Sequence, residues 1–484
     1  MDEHLQKILR GKITMRPIKT ITYLIILMAT GSAIGAVHYV PQEYATIQAA
    51  VNASNNLDII VVAPARYAGV GNRNINLYGR QIAVQSSDPN NAGVVSSTII
   101  DCEGKNRGFV FYTGETGSSI IRGFTITGGY GLLGGAFYCY NNSSPSIANC
   151  VITGNSAVLG GAIACANSKT YPKISNCKIT ANSASVGGGA IYCNGASPVI
   201  KSCVINGNFA PDGGAIYSHN ADNPAVINCT ISGNAASKSA GAIYCYNSSK
   251  LTLNNDILWS NTAVTAPDLY VSNAGAAASA QLSYCNVRNS GVVSDSGCVI
   301  NWGSGNINAD PRFAGTGTLT LKNTFTGADF HLLKGSGCID AGSPAYVSES
   351  GETDIDGKPR ISGAKIDIGA YEFQQPIQAA FEIHPETLNL ESNGQWVSGI
   401  ISSIAGYSIS DIDTASMVLN DTIKPESVAV EDGKMLLKFS RSKVQEAVST
   451  VENEAVLNIA GKLNNGKDFA GSDTIRIIRP GGKK

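Results

Sequence analysis

The chain has 484 residues, a formal net charge of −1 and only 15% charged residues, against about 25% in an ordinary soluble chain. Nucleic-acid binding, which needs a basic stripe or patch, is excluded as a reading. The length leaves room for one long domain and a second module. In chain order, Arg10, Lys12, Arg16 and Lys19 precede an apolar run from Ile21 to Ala29 and the small residues Gly31, Ser32, Ala33, Gly35 and Ala36. This is the pattern of an export signal over 1–36, with Met15 an alternative start and cleavage expected after Ala36. An uncleaved membrane anchor is the competing reading, since no charge falls between Lys19 and Glu43. Either way the protein is expected to be secreted or held at the cell surface.

Next come Pro41 to Val51, expected to form a short helix, and Asp58 to Tyr67, an apolar strand. The middle of the chain repeats. A Gly-Gly-Ala-Ile-Tyr-Cys-like hexapeptide recurs at 25 to 28 residues, with its alanines at Ala136, Ala162, Ala190, Ala215 and Ala242. Each copy is followed by a Pro-x-Ile-x-Asn-Cys-x-Ile-x-Gly-Asn element, clearest at 145–155, 172–182, 198–208 and 224–234. A fixed period in this range means stacked supersecondary units, and glycine-punctuated Ile, Val, Tyr and Asn suit short strands. Alignment gives columns: Ile121, Ile147, Ile174, Ile200, Val226, Leu253; Gly123, Asn149, Asn176, Ser202, Asn228, Asn255; Phe124, Cys150, Cys177, Cys203, Cys229, Asp256; and Ile126, Ile152, Ile179, Ile205, Ile231, then Trp259 or Leu258. If each repeat is one coil of a parallel β-solenoid, coils lie about 4.8 Å apart and like side chains stack. Inward columns must then be compact and apolar, hence Ile and Cys. The Asn column marks a bend: Asn tolerates left-handed backbone, and its amide is expected to bond to the amides above and below.

The stretches 41–51 and 58–67 resemble the opening of a right-handed parallel β-helix of the pectin-lyase-like kind, although Leu57-Asp58 and Ala65 stand where glycines are common. The Gly-Gly-Ala-Ile coils resemble the passenger repeats of polymorphic outer-membrane (autotransporter) proteins. Asp329 to Leu333, Cys338 to Gly342, Asp354 to Arg360 and Asp367 to Phe373 are similar to the closing segment of secreted bacterial β-helix proteins of the choice-of-anchor type. The resemblance implies an all-β, single-stranded right-handed parallel β-helix over 37–373. It permits, without specifying, a pectate-lyase-like polysaccharide lyase or glycoside hydrolase acting on uronate-containing glycans. After Phe373, residues 374–380 read as a linker, and alternating runs such as Met435 to Phe439, Ala455 to Leu463 and Thr474 to Ile478 predict a small β-sandwich over 381–480.

Twelve cysteines in an exported chain suggest disulfides. Here Cys150, Cys177, Cys203 and Cys229 fall in one inward stack, and Cys139, Cys165, Cys193 and Cys245 in another with Ser218 between the last two. Parallel Cβ vectors suit disulfides poorly, so buried thiols are the favoured state. Catalytic tools are scarce: no Glu lies between Glu115 and Glu349, and no Arg between Arg122 and Arg288. The candidates for catalysis are Asp212, His219 and Asp222, which solvated turns explain equally well. Asp354, Asp356 and Asp367 could hold Ca²⁺ as hard oxygen ligands, or form turns. If Ile and Cys of the hexapeptide point inward, Tyr138, Tyr192, Tyr217 and Tyr244 point outward as a ladder broken at Ala164, with Tyr140, Ala166, Asn194, His219 and Tyr246 beside it. Such a strip either covers the sheet or offers a flat aromatic surface to sugar rings. The sequence thus predicts a non-catalytic polysaccharide-binding or adhesion scaffold, with a lyase or hydrolase as the alternative.

Overall fold

The computed structural model describes residues 35–220, 223–319 and 325–479. The expected export signal over 1–36 lies almost wholly outside them. Residues 37–302 wind into a parallel β-solenoid whose strands stack into four faces. One coil shows the plan. Ser146–Ala148 lies on face 1, Asn149 turns the chain with φ +53°, and Val151–Thr153 lies on face 2. Ser156–Leu159 forms face 3, Gly160 and Gly161 make a tight corner, and Ile163–Ala166 lies on face 4. Face 1 has eleven strands, faces 2 and 4 have nine each, and face 3 has five.

The sequence columns are stacks in space. Ile147, Ile174, Ile200, Val226 and Leu253 pair in register across parallel strands and are fully buried. Ile231 pairs with Leu258, so Leu258 and not Trp259 continues the fourth column. The bend column has φ between +50° and +58° at Asn149, Asn176, Ser202, Asn228 and Asn255. In the Gly-Gly pair the first residue is left-handed, with φ from +60° to +68° in four coils, and Ala240 takes that place in the fifth at +59°. The second has another restriction: a Cβ on Gly161 would lie 2.3 Å from the carbonyl oxygen of Gly189 in the next coil. Only glycine lets the coils stack there.

The expected amide stacking occurs, but chiefly in a different column. In the bend column only Asn255 donates to Asn228, at 3.1 Å. The continuous ladder is made by Asn155, Asn182, Asn208, Asn234 and Asn261, all buried, each Nδ2 donating to the next Oδ1 at 2.9 to 3.0 Å. Each of these oxygens but that of Asn155 also accepts the backbone N–H of the preceding asparagine. The last amide donates to Asp268, whose other oxygen accepts Nε of Arg288 at 2.8 Å. All twelve cysteines are free thiols and eleven are buried. Along the 150–229 stack the backbone N–H of Cys177 meets Sγ of Cys203 at 3.5 Å, and that of Cys203 meets Sγ of Cys229 at 3.4 Å.

The helix Ile47–Ala53, capped by the Thr46 hydroxyl on the N–H of Ala49, buries Ile47, Ala50 and Val51 over the first coils. Beyond the last coil, the antiparallel strands Phe313–Leu319 and Phe325–Leu332 begin a closing segment that runs back along face 2. There Phe313, Phe330, Leu332, Ile368 and Tyr371 pack with Val204 and Ile257 of the solenoid. Gly369 donates to the Asn255 carbonyl at 2.8 Å and Ala370 to the Thr230 hydroxyl at 3.0 Å.

The C-terminal module is all β with its own core, including Phe381, Ile401, Met417, Phe439, Leu457 and Phe469. Its first strand, Ile377–His384, starts inside the 374–380 stretch. That strand pairs with Trp396–Ile404 on one side and with Asp468–Ile478 on the other, so the layers are continuous and the module is barrel-like. One short helix, Arg441–Ala447, follows the strand Lys434–Ser440. Among the described residues no helix is long and apolar enough to cross a membrane.

Candidate functional site

The tight Gly-Gly corner decides the shape of the site. A Cβ on Gly187, on face 3, would lie 2.9 Å from the ring of Tyr217 on face 4. The outer sides of these two faces therefore look toward each other, and the tyrosines fill a re-entrant corner. On face 4, Tyr192, Tyr217, Tyr244 and Tyr270 are in strict register over consecutive coils. On face 3 the corner positions are Leu159, Gly187, Asp212 and Ser239. By that register Asp212 faces Tyr244 as Gly187 faces Tyr217.

The rings of Tyr192, Tyr217 and Tyr244 stack on one another, with centroids 5.7 Å apart for Tyr192 and Tyr217 and 5.4 Å for Tyr217 and Tyr244, and Tyr270 lies tilted against Tyr244 at 5.2 Å. This changes the surface expected from the sequence. The ring faces cover each other, and what faces outward is an edge of hydroxyls on half-buried rings. Tyr192 is only 4% exposed, and Ala164, where the ladder is broken, is fully buried. Tyr138 lies beyond that break and stacks on Tyr140 at 4.4 Å. Arg107 closes this end: it lies over Tyr138 at 5.4 Å and donates to the carbonyls of Gly134 and Leu133.

The hydroxyl edge is organised. Tyr270 donates to Asp295 at 2.8 Å, and Asp295 also accepts the Ser272 hydroxyl and the N–H of Asn273. The bonds from Asn273 and Ser272 hold the Asp295 carboxyl below its usual range. The hydrogen bond to Asp295, with burial, pushes Tyr270 up to about 12. Burial raises Tyr217 and Tyr244, and the Asp212 charge adds to both. These hydroxyls therefore keep their protons across the physiological range. Tyr246 stacks on His219 at 4.4 Å, and burial lowers the His219 pKa, so the ring is neutral near pH 7. Beside them Asn220 donates to Asn194 at 2.7 Å and Asn247 donates to Asn220.

The other candidates are placed differently. Asp212 precedes the Gly213-Gly214 corner, whereas His219 ends the following strand Ile216–His219, so a strand length separates them. Asp222 lies outside the described residues. The carboxylates of Asp354, Asp356 and Asp367 are turned to protein donors. Asp354 accepts the N–H groups of Asp356, Lys358 and Glu372, and Asp367 those of Asp340 and Phe373. Asp356 accepts Nε2 of His331 at 2.6 Å and lies 3.7 Å from Nζ of Lys178. This donor set does not fit a calcium ion, and among the described residues no group of three His, Cys, Asp or Glu side chains is arranged to hold a metal.

Tyr270 was not singled out from the sequence, because its coil lacks the Gly-Gly-Ala signature. The alternation Leu269-Tyr270-Val271, 26 residues beyond Ile243-Tyr244-Cys245, was the available signal. The same applies to Tyr112, stacked on Tyr140 at 5.5 Å.

Residues 161–310 match the family described as right handed beta helix region. The fold is a right-handed parallel β-helix. Among solved structures the chain is similar to pectate lyase Pel9A, at 14% identity and a TM-score of 0.38, covering 71% of this chain and 97% of that one. It is also similar to a pectin methylesterase from Aspergillus niger, at 12% identity and a TM-score of 0.31, covering 58% and 88%. No curated protein matches the chain. At these identities the likeness concerns the fold alone.

Proposed function

We propose that the protein is an exported, non-catalytic scaffold that binds polysaccharide at or beyond the cell surface, with the corner between faces 3 and 4 as its binding surface. The observation that carries this is the unbroken run Tyr192, Tyr217, Tyr244 and Tyr270 with its bonded hydroxyl edge. A solenoid repeats one hydrogen-bonding pattern about every 4.8 Å along its axis. A polymer of sugar units is a ligand that can meet such a repeat many times over. The export half of the reading rests on the basic and apolar pattern of residues 10–36.

Titration of hexasaccharides against the wild type and the Tyr217→Ala and Tyr244→Ala variants tests it. Affinity should fall at least tenfold in each variant with the fold retained by circular dichroism; unchanged affinity removes the corner as the site. The lyase or hydrolase reading has less support, since Asp212 and His219 stand at opposite ends of a strand length. New ultraviolet absorbance from unsaturated products on pectate or alginate would favour it over the scaffold.

A further inference from the structure

Resting on the binding reading above, we infer that the tyrosine corner is selective for an uncharged, hydroxyl-rich glycan and disfavours uronate polymers. Two carboxylates stand at the ladder. Asp295 holds the Tyr270 hydroxyl and the Ser272 hydroxyl at 2.8 Å, and Asp212 sits at the corner position facing Tyr244. The Asp212 charge bears on the hydroxyls of both Tyr217 and Tyr244.

Three of the solenoid's cations are engaged elsewhere. Lys178 is turned to Asp356 of the closing segment, and Lys201 meets Glu352 at 2.9 Å on that same side. Arg107 is engaged with backbone carbonyls at the Tyr138 end. Lys238 stands exposed beside Ser239 on face 3, and Lys169 stands exposed beyond the face-4 strand Ile163–Ala166.

The hydrogen-bonding character points the same way. Tyr270 uses its proton on Asp295, and so does the Ser272 hydroxyl. The ionised Asp295 and Asp212 offer a ligand acceptor oxygens only. Such a surface asks its ligand for O–H donors, and hydroxyl-to-carboxylate bonds are the strong class. A neutral sugar chain brings such donors at every unit. A uronate replaces one by a carboxylate, which adds a like charge in a half-buried corner where water screens it poorly.

The test compares cellohexaose, a neutral β-glucan hexamer, with hexagalacturonate on the full chain by titration calorimetry. It is done at low salt and at about 0.5 M salt, where charges are screened within a few ångströms. Tyr217→Ala reports whether binding is at the corner, and Tyr217→Phe, which keeps the ring stack, guards against a folding defect in the alanine variant. Expected is at least tenfold tighter binding of the neutral hexamer at low salt, lost in Tyr217→Ala, with the uronate gaining affinity as salt rises. Equal or tighter uronate binding that is lost in Tyr217→Ala overturns the neutral selectivity while leaving the corner as the site. Binding of neither hexamer, or binding that both Tyr217 variants leave unchanged, overturns the selectivity together with the reading beneath it.

Discussion

Glu372 shows what one buried residue contributes to the behaviour of the chain. It is 3% exposed, and burial with the nearby Asp367 charge raises its pKa to about 8 against the weaker pull of Arg360. Arg360 is fully buried, donates to the Gly369 carbonyl at 2.5 Å and stands 3.7 Å from the Glu372 carboxylate. A folded-state pKa above the unfolded value means the native state holds the proton more tightly. The stability from this group is therefore complete below its ordinary pKa of 4.5 and is lost as pH rises through about 8. The denaturation midpoint of the wild type should fall between pH 5 and about 8.5, and Glu372→Gln should flatten that fall. A variant with the same slope as the wild type would show that another group carries it. His331 works in the same sense at higher pH, since Asp356 and Asp329 raise it to about 9.

At the scale of the element, the solenoid is a set of stacks, and each stack carries part of the cohesion. Asn208 is the middle rung of the amide ladder. Its Nδ2 donates to the Ile179 carbonyl, the Asn206 carbonyl and Asn234, and its Oδ1 accepts from the backbone and side chain of Asn182. Asn208→Ala leaves several buried polar groups unpaired at once, each costing about 1 to 3 kcal/mol. A loss of about 3 kcal/mol in chemical denaturation is expected for this one variant, since water cannot reach the gap. A loss below about 1 kcal/mol would reduce the ladder to ordinary surface amides.

These stacks also show how far the sequence could be read. The Ile and Cys columns were legible because a fixed period forces like residues into one buried line, and the Gly-Gly pair because it recurs before four of the five repeat alanines. The ladder was placed in the wrong asparagine column, since Asn149 and Asn155 recur with the same period and only the direction each side chain takes from its bend separates them. The ring stacking and the buried Arg360–Glu372 cluster were not legible. The first depends on the angle between faces 3 and 4, and the second on a closing segment that folds back over distant coils.

At the scale of the whole molecule, two separate cores imply two unfolding events. The solenoid core runs from Val40 to Val287 and is tied to the closing segment through Val204 and Ile257, whereas the module after Ile377 packs around Phe381, Phe439 and Phe469. Chains built of independently packed units do not melt as one two-state system. Within the solenoid, each coil contacts its neighbours, so stability is passed along the axis from the helix-capped end. A ligand that binds only the folded corner stabilises only the unit that contains it, by about 2.7 kcal/mol at a hundred times its dissociation constant. Calorimetric melting should therefore show two transitions, and a bound neutral hexamer should raise one of them while leaving the other in place. Tyr217→Ala should abolish that shift and leave the second transition untouched. One cooperative transition, or two that move together with ligand, would mean that the C-terminal module is energetically part of the solenoid, and the binding surface would then have to be sought across both.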